Sequence, residues 1–168
     1  MSAQTSPRAG QAGNGIVRGN DGLEHLAPVR AQAFIGLLRA AERLDSELDA
    51  ELQAAHGLGL RAFEVLLHLA VFAPGRHLRV TELAERAPLS QSQVSRLVAD
   101  LESRGLVART TAEGDGRGTD VSITSTGLDL FRAAQRTHLD DLETRLFARL
   151  TETEINQLAR ITTKILDE

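Results

Sequence analysis

The stretch from Ser90 to Gly105 carries its own start and stop signals for a helix. Ser90 and Gln93 form Ser-x-x-Gln, a capping box in which each side chain satisfies the other residue's orphaned backbone N–H. Gly105 supplies the left-handed residue that ends a helix, and Leu106 follows with the apolar contact such ends use. Between these signals Val94, Leu97, Val98 and Leu101 recur at i, i+3, i+4, i+7, so one face must be buried. Just upstream, Thr81 reads as the N-cap of a shorter helix, Glu82 to Ala87. Leu83, Ala84 and Ala87 point inward there, and Pro88 breaks it. Just downstream the period changes. Leu106 to Thr110 and Asp120 to Ile123 read as short strands, joined by the glycine-rich tip Thr111 to Thr119. Two short helices across a tight break, followed by a two-stranded hairpin, make a winged helix-turn-helix.

The flanks are helical. Residues 1 to 20 are rich in Gly, Ser and Gln without periodicity and read as a disordered tail. From about Leu26 to Ala55, Phe34, Leu37, Leu38, Ala41, Leu44, Leu48 and Leu52 mark a first helix. A second runs from about Leu60 to Phe72 with apolar residues on two faces, as expected of a helix sandwiched between others. Arg76 to Val80 reads as an edge strand. After the hairpin come a long amphipathic helix, about Ser125 to Leu150 with Thr124 as cap, and a last one, Glu152 to Leu166, capped by Thr151. The composition agrees. Of 168 residues, 42% are hydrophobic but only 3% aromatic, so the core is built from Leu, Ala, Val and Ile. The fold class is mainly α with a small β-wing.

The helix from Gln91 to Ser103 shows what this framework can present. Opposite its apolar stripe, at roughly 100° per residue, lie Ser92, Arg96, Ala99 and Ser103, flanked by Gln93 and Ser95. An ordinary solvated face carries Glu and Lys, whereas the first turns here carry Ser, Gln, Ser and Arg, and Ser is a poor helix former. Small polar residues allow close approach to a duplex. Arg can fork onto guanine, Gln onto adenine, and Ser can meet phosphate or base. Gln93 has a competing duty in the capping box. In the hairpin tip, Arg117 stands between Gly116 and Gly118, where it could enter a minor groove. Asp115 could hold that guanidinium or Arg109. A flexible turn with an incidental Arg is the plainer reading of the tip taken alone. The net charge of −4 runs against a broad basic footprint. The case for DNA therefore rests on geometry and on arginine, since Lys164 is the only lysine.

These segments together resemble the MarR family of bacterial transcriptional regulators. The resemblance runs through Leu78-Arg79-Val80-Thr81-Glu82-Leu83-Ala84, Ser90 to Val98, Leu101 to Arg109, Asp115-Gly116-Arg117 and Ile123 to Gly127. It implies a homodimer that binds double-stranded DNA as a regulator, with repression of a pseudopalindromic operator expected. It places Ser92, Gln93, Ser95 and Arg96 at the major groove, Arg117 in the minor groove, and Asp115 on the acidic residue two before it; Asp115 and Arg109 are the candidate wing supports. Gly116 departs from the family, where a second basic residue is common. The implied organisation is a tail (1–20), an N-terminal dimerisation helix (21–57), the winged domain (58–124) and C-terminal dimerisation helices (125–168). The resemblance also implies a small-molecule effector, an aromatic or phenolic anion. Arg39, Arg43, Arg61 and His68 lie on elements that would line its cleft. Each reads equally as a surface ion-pair partner, so no effector residue is assigned.

Other chemistries find little support. With no cysteine, disulfides, thiol redox sensing and cysteine-based metal sites are excluded. Glu64 and His68 sit one turn apart, but no third ligand joins them, and hydrogen-bonded or solvated histidine is the better reading. No phosphate loop, nucleophile elbow or dinucleotide fingerprint occurs. No enzyme, cofactor or metal is expected. A cytoplasmic location is expected, with no membrane association. The competing function is a winged helix that mediates protein contact without binding DNA.

Overall fold

A computed structural model describes residues 15–87, 89–111 and 119–167. Asp115, Gly116 and Arg117 lie outside the described residues. The chain divides into two compact units, residues 1–43 and 44–168.

In the first unit, β1 (Ile16–Arg18) and β2 (Glu24–Leu26) pair antiparallel, with Ile16 opposite Leu26. The tail expected over residues 1–20 is thus partly a strand. The turn is local: the Asp21 carboxylate accepts from the Leu23 N–H at 3.0 Å and pairs with His25 Nε2 at 2.9 Å. Its residues show no apolar alternation, which is why sequence pattern missed it. Then α1 (Pro28–His56) begins, with proline where its missing N–H costs nothing. Val29, Phe34, Ile35, Leu37 and Leu38, in its first half, are exposed.

In the second unit, Leu48 and Leu52 of α1 are buried. α2 (Leu60–Leu67) continues as a wider helical turn over His68–Phe72. The order then runs β3 (His77–Arg79), α3 (Val80–Arg86), α4 (Gln91–Ser103), β4 (Val107–Thr111), β5 (Thr119–Ile123), α5 (Ser125–Arg145) and α6 (Glu152–Leu166). The sheet order is β3-β5-β4, antiparallel, so the expected edge strand closes one side of the wing. α3 starts one residue before Thr81. Its N-cap is Arg79, whose N–H is accepted by Glu82 at 2.9 Å. α5 ends at Arg145, because Phe147–Arg149 tightens into a 3-10 turn.

One core holds these elements apart from α6, which buries no residue. Val94, Val98 and Leu101 of α4 are fully sealed, together with Phe63, Leu66, Leu83 and Val121. Leu97 differs from expectation: it is only half-buried, at the core's margin. The C-terminus of α4 closes as a Schellman motif, Leu106 N–H to Leu101 carbonyl and Gly105 N–H to Glu102 carbonyl, both 2.9 Å, with Gly105 at φ +70°. Gly127 has a different duty. A β-carbon there would stand 1.9 Å from the Leu106 carbonyl oxygen, so the first turn of α5 approaches the start of the wing only because glycine is present. Thr124 ties the same junction, its hydroxyl accepting from Gly127 N–H at 3.0 Å and donating to the Gly105 carbonyl at 2.8 Å.

Phe63 stacks on Phe131 with ring centroids 5.7 Å apart and meets His138 at 4.8 Å. Burial pushes the His138 imidazole below its ordinary value of 6.5, against the opposing pull of Asp141 and Glu64. Burial, then Arg86, does the same to His68.

Leu101→Ala should destabilise the fold by roughly 2–5 kcal/mol, through lost burial and a cavity. Leu97→Ala should cost clearly less, because part of its surface is already wet. Chemical denaturation of both variants checks this, and equal midpoints would show that the two positions are packed alike. A second outcome concerns pH. Since both histidines hold protons less readily folded than unfolded, their contribution is complete above 6.5 and declines as pH falls through that value towards the lower folded one. His138→Phe should flatten the decline in denaturation midpoint between neutral and mildly acidic pH. A decline of wild-type steepness in that variant would assign it to other groups.

Candidate DNA-binding surface

The exposed face of α4 is set by its two ends. At the N-terminus, Ser90 Oγ accepts from Gln93 N–H at 3.4 Å. The Gln93 side-chain oxygen accepts from Ser90 N–H at 2.9 Å and from its hydroxyl at 2.8 Å. The capping duty foreseen for Gln93 is therefore in force. Ser92 Oγ lies 3.1 Å from Ser90 Oγ. Ser92, Gln93, Ser95 and Arg96 are all exposed on this first part of the helix, opposite the sealed Val94 and Val98. The structure brings these four predicted residues together on one face.

The charges along this surface are sorted. Arg104 pairs with Asp100 at 3.5 Å, one turn apart. Arg109 Nε, on β4, donates to Glu102 of α4 at 2.7 Å, and the contact holds the Glu102 carboxyl below the usual carboxylate range. Arg79 lies 4.0 Å from Asp120 across β3 and β5. Arg96 is different: its Nε leans on the Ser92 carbonyl at 3.4 Å, and among the described residues it forms no ion pair with a carboxylate. Its terminal nitrogens remain available to an anion or a base edge. The acidic residues that lower the net charge here are spent on other arginines.

Sequence reasoning missed Glu102 as the partner of Arg109. The pair is seven residues apart across a helix end, and the Gly105 reversal brings it together. Asp115, the sequence's own candidate for that role, lies outside the described residues. Arg61, considered for an effector cleft, is held by Asp45 and by Glu64, the latter at 2.9 Å. It also shares a shallow recess of about 250 Å³ with Leu89, Gln93, Arg96 and Leu97. His68 retains a buried Nδ1 without a partner among the described residues. Among those residues no group of three or more His, Asp or Glu is placed to hold a metal ion, and no single helix is long and apolar enough to cross a membrane.

A helix sealed on one face, polar on the other, and followed by a three-stranded wing defines a winged helix-turn-helix protein. The chain belongs to the MarR family of transcriptional regulators. A family model described as the MarR family matches residues 56–118. The solved structure of Sco3205, a MarR family transcriptional regulator from Streptomyces coelicolor in complex with DNA, is 31% identical. That match has a TM-score of 0.79 and covers 84% of this chain and 88% of that one. From Bacillus subtilis (strain 168), the HTH-type transcriptional regulator YxaD is 34% identical over 99 residues, covering 59% of this chain and 67% of that protein. The HTH-type transcriptional repressor MdtR of the same organism is 35% identical over 88 residues, covering 52% of this chain and 56% of that protein.

If the Glu102–Arg109 pair fixes the wing against α4, Glu102→Gln should lower affinity for a specific duplex. It should leave the melting temperature nearly unchanged, because the pair is largely exposed. Parallel binding and melting curves check this. Unaltered affinity would remove Arg109 from any supporting role.

Proposed function

We propose that the chain is a sequence-specific repressor that binds a pseudopalindromic operator in double-stranded DNA as a homodimer in the cytoplasm. The observation that carries this reading is the exposed Ser92, Gln93, Ser95 and Arg96 face of α4, with an arginine unclaimed by any described carboxylate. A winged helix-turn-helix offers such a face to the major groove, and two copies related by a two-fold axis offer two. The dimer is supported by apolar side chains the single chain leaves exposed: Phe34, Leu37 and Leu38 on α1, and Ile161, Ile165 and Leu166 on α6. On this reading the dimerising segments are residues 21–57 and 125–168, and the DNA-reading segment is 58–124. Arg117 enters the minor groove, and a small aromatic or phenolic anion relieves repression.

Arg96→Ala should cost about 1–3 kcal/mol at the operator and relax preference at one position per half-site. Arg117→Ala should weaken binding to most sequences alike and reduce the salt slope by roughly one unit per arm. Half-site centres should lie about one duplex turn apart, or a multiple of it. The measurement is a salt titration of wild type and both variants on duplexes recovered from bound genomic fragments and on scrambled controls. Equal small losses for both variants on both duplexes would remove the assigned roles. Absence of specific binding by the wild type to any fragment would favour a protein-contact module instead.

A further inference from the structure

The capping box at the head of α4 fixes the hydrogen-bonding sign of the residue beside it. A glutamine reads adenine by a fork: its oxygen accepts from the adenine N6 amino group while its nitrogen donates to N7. A side-chain carbonyl oxygen has two lone pairs. Both are occupied in Gln93, one by the Ser90 N–H at 2.9 Å and one by the Ser90 hydroxyl at 2.8 Å. What Gln93 still offers is its amide NH2, with two donors and no acceptor. Arg96 beside it on the helix is donor-only by nature, with Nε turned to the Ser92 carbonyl and the terminal nitrogens left over. No acidic residue stands in the first turn of α4. At Gln93 and Arg96 the exposed face of this helix therefore offers donors alone.

We propose that Gln93 is a donor-only specificity residue, selecting a base edge that carries acceptors, guanine foremost, and rejecting cytosine on the strand it faces. The inference rests on the DNA-binding reading above and deepens it. In the major groove guanine shows two acceptors, N7 and O6. Adenine shows N7 beside a donor, thymine shows O4, and cytosine shows only its N4 donor. With Arg96 also matched to guanine, the half-site is rich in acceptors where α4 enters. Adenine has no advantage over guanine at the Gln93 position, because the fork that would recognise it is closed by the cap.

The test is selection of bound duplexes from a randomised pool by the full-length protein, wild type and Gln93→Glu, with melting curves of both. Glutamate at this position keeps the Ser-x-x-Glu capping box, so the helix start is retained. It replaces the donors with a second acceptor. The expected wild-type result is guanine-led preference at the Gln93 position. The expected Gln93→Glu result is an unchanged melting temperature, a switch of that one position towards cytosine in each half-site, and a several-fold loss on the wild-type operator that exceeds the loss on scrambled DNA. A wild-type preference for adenine over guanine at that position would overturn the proposal without any variant, as it would mean the fork is used. A Gln93→Glu variant that keeps every wild-type preference, or loses affinity equally on specific and scrambled duplexes, would overturn it by leaving Gln93 a cap alone. Failure of the wild type to select any sequence would overturn the DNA-binding reading itself, and is distinguishable because no position then shows a preference.

Discussion

The polar face that α4 presents depends on three side chains of the same helix that water does not reach. Val94, Val98 and Leu101 are fully sealed in a core shared with Phe63 of α2, Leu83 of α3 and Val121 of β5. A helix that must present side chains to base edges at hydrogen-bonding distance cannot roll or slide, and a close-packed apolar face resists both. Sealing this face also dictates the rest. The opposite face has to stay polar, and the backbone groups that a helix leaves unpaired at its two ends are satisfied by local chemistry. Ser90 with Gln93 closes one end and the Gly105 reversal closes the other. That reversal also starts β4, so the rigidity of α4 passes directly into the base of the wing. Gly127 and Thr124 then bind α5 to the same junction.

Net charge is a poor guide to such a surface. The chain is acidic overall, at −4. Phosphate attraction acts over about a Debye length, roughly 8 Å at physiological salt, so what matters is which charges stand together. Asp100 and Glu102 are paired with Arg104 and Arg109, and Asp120 lies beside Arg79. Each of these pairs is nearly neutral at a distance. Among the described residues Arg96 is paired with no carboxylate, and it sits where the outer face is built from small side chains. The acidic residues Asp100, Glu102 and Asp120 thus hold three arginines in place.

What was legible in the sequence follows the range of each interaction. The Ser90–Gln93 box, the Gly105 stop, and the Thr124 and Thr151 caps join residues within one helical turn, so spacing alone reveals them. The register of α4's buried stripe was legible for the same reason, apart from Leu97, whose partial exposure is set by how neighbouring elements close around it. Features that depend on the folded path were not legible. Asp49 caps the first N–H of α2 from α1, at 2.7 Å across eleven residues. Glu102 meets Arg109 only after the chain reverses. Arg79, with no side-chain acceptor to offer, serves as an N-cap because strand β3 delivers its N–H to Glu82. The β1–β2 hairpin is held by Asp21, His25 and a glycine turn rather than by a buried face, so no apolar alternation announces it.

The exposed apolar residues of α1 and α6 bear on how binding and stability are linked. Ile161 and Ile165 recur at helical spacing on α6, and with Leu166 they remain at half exposure or more in the single chain. Each such side chain forgoes on the order of 25 cal/mol for every Å² left wet. If a second copy covers them, that free energy is recovered on association, and folding of these segments becomes dependent on protein concentration. Such a dimer couples two properties in one step. The α4 helices acquire a fixed separation only when the apolar stripes are covered, so the spacing that an operator's half-sites must match is set by the same contacts that complete the fold. A ligand or substitution that alters how those stripes meet need not touch α4 to change operator affinity, because it changes the geometry in which two otherwise intact reading heads are held.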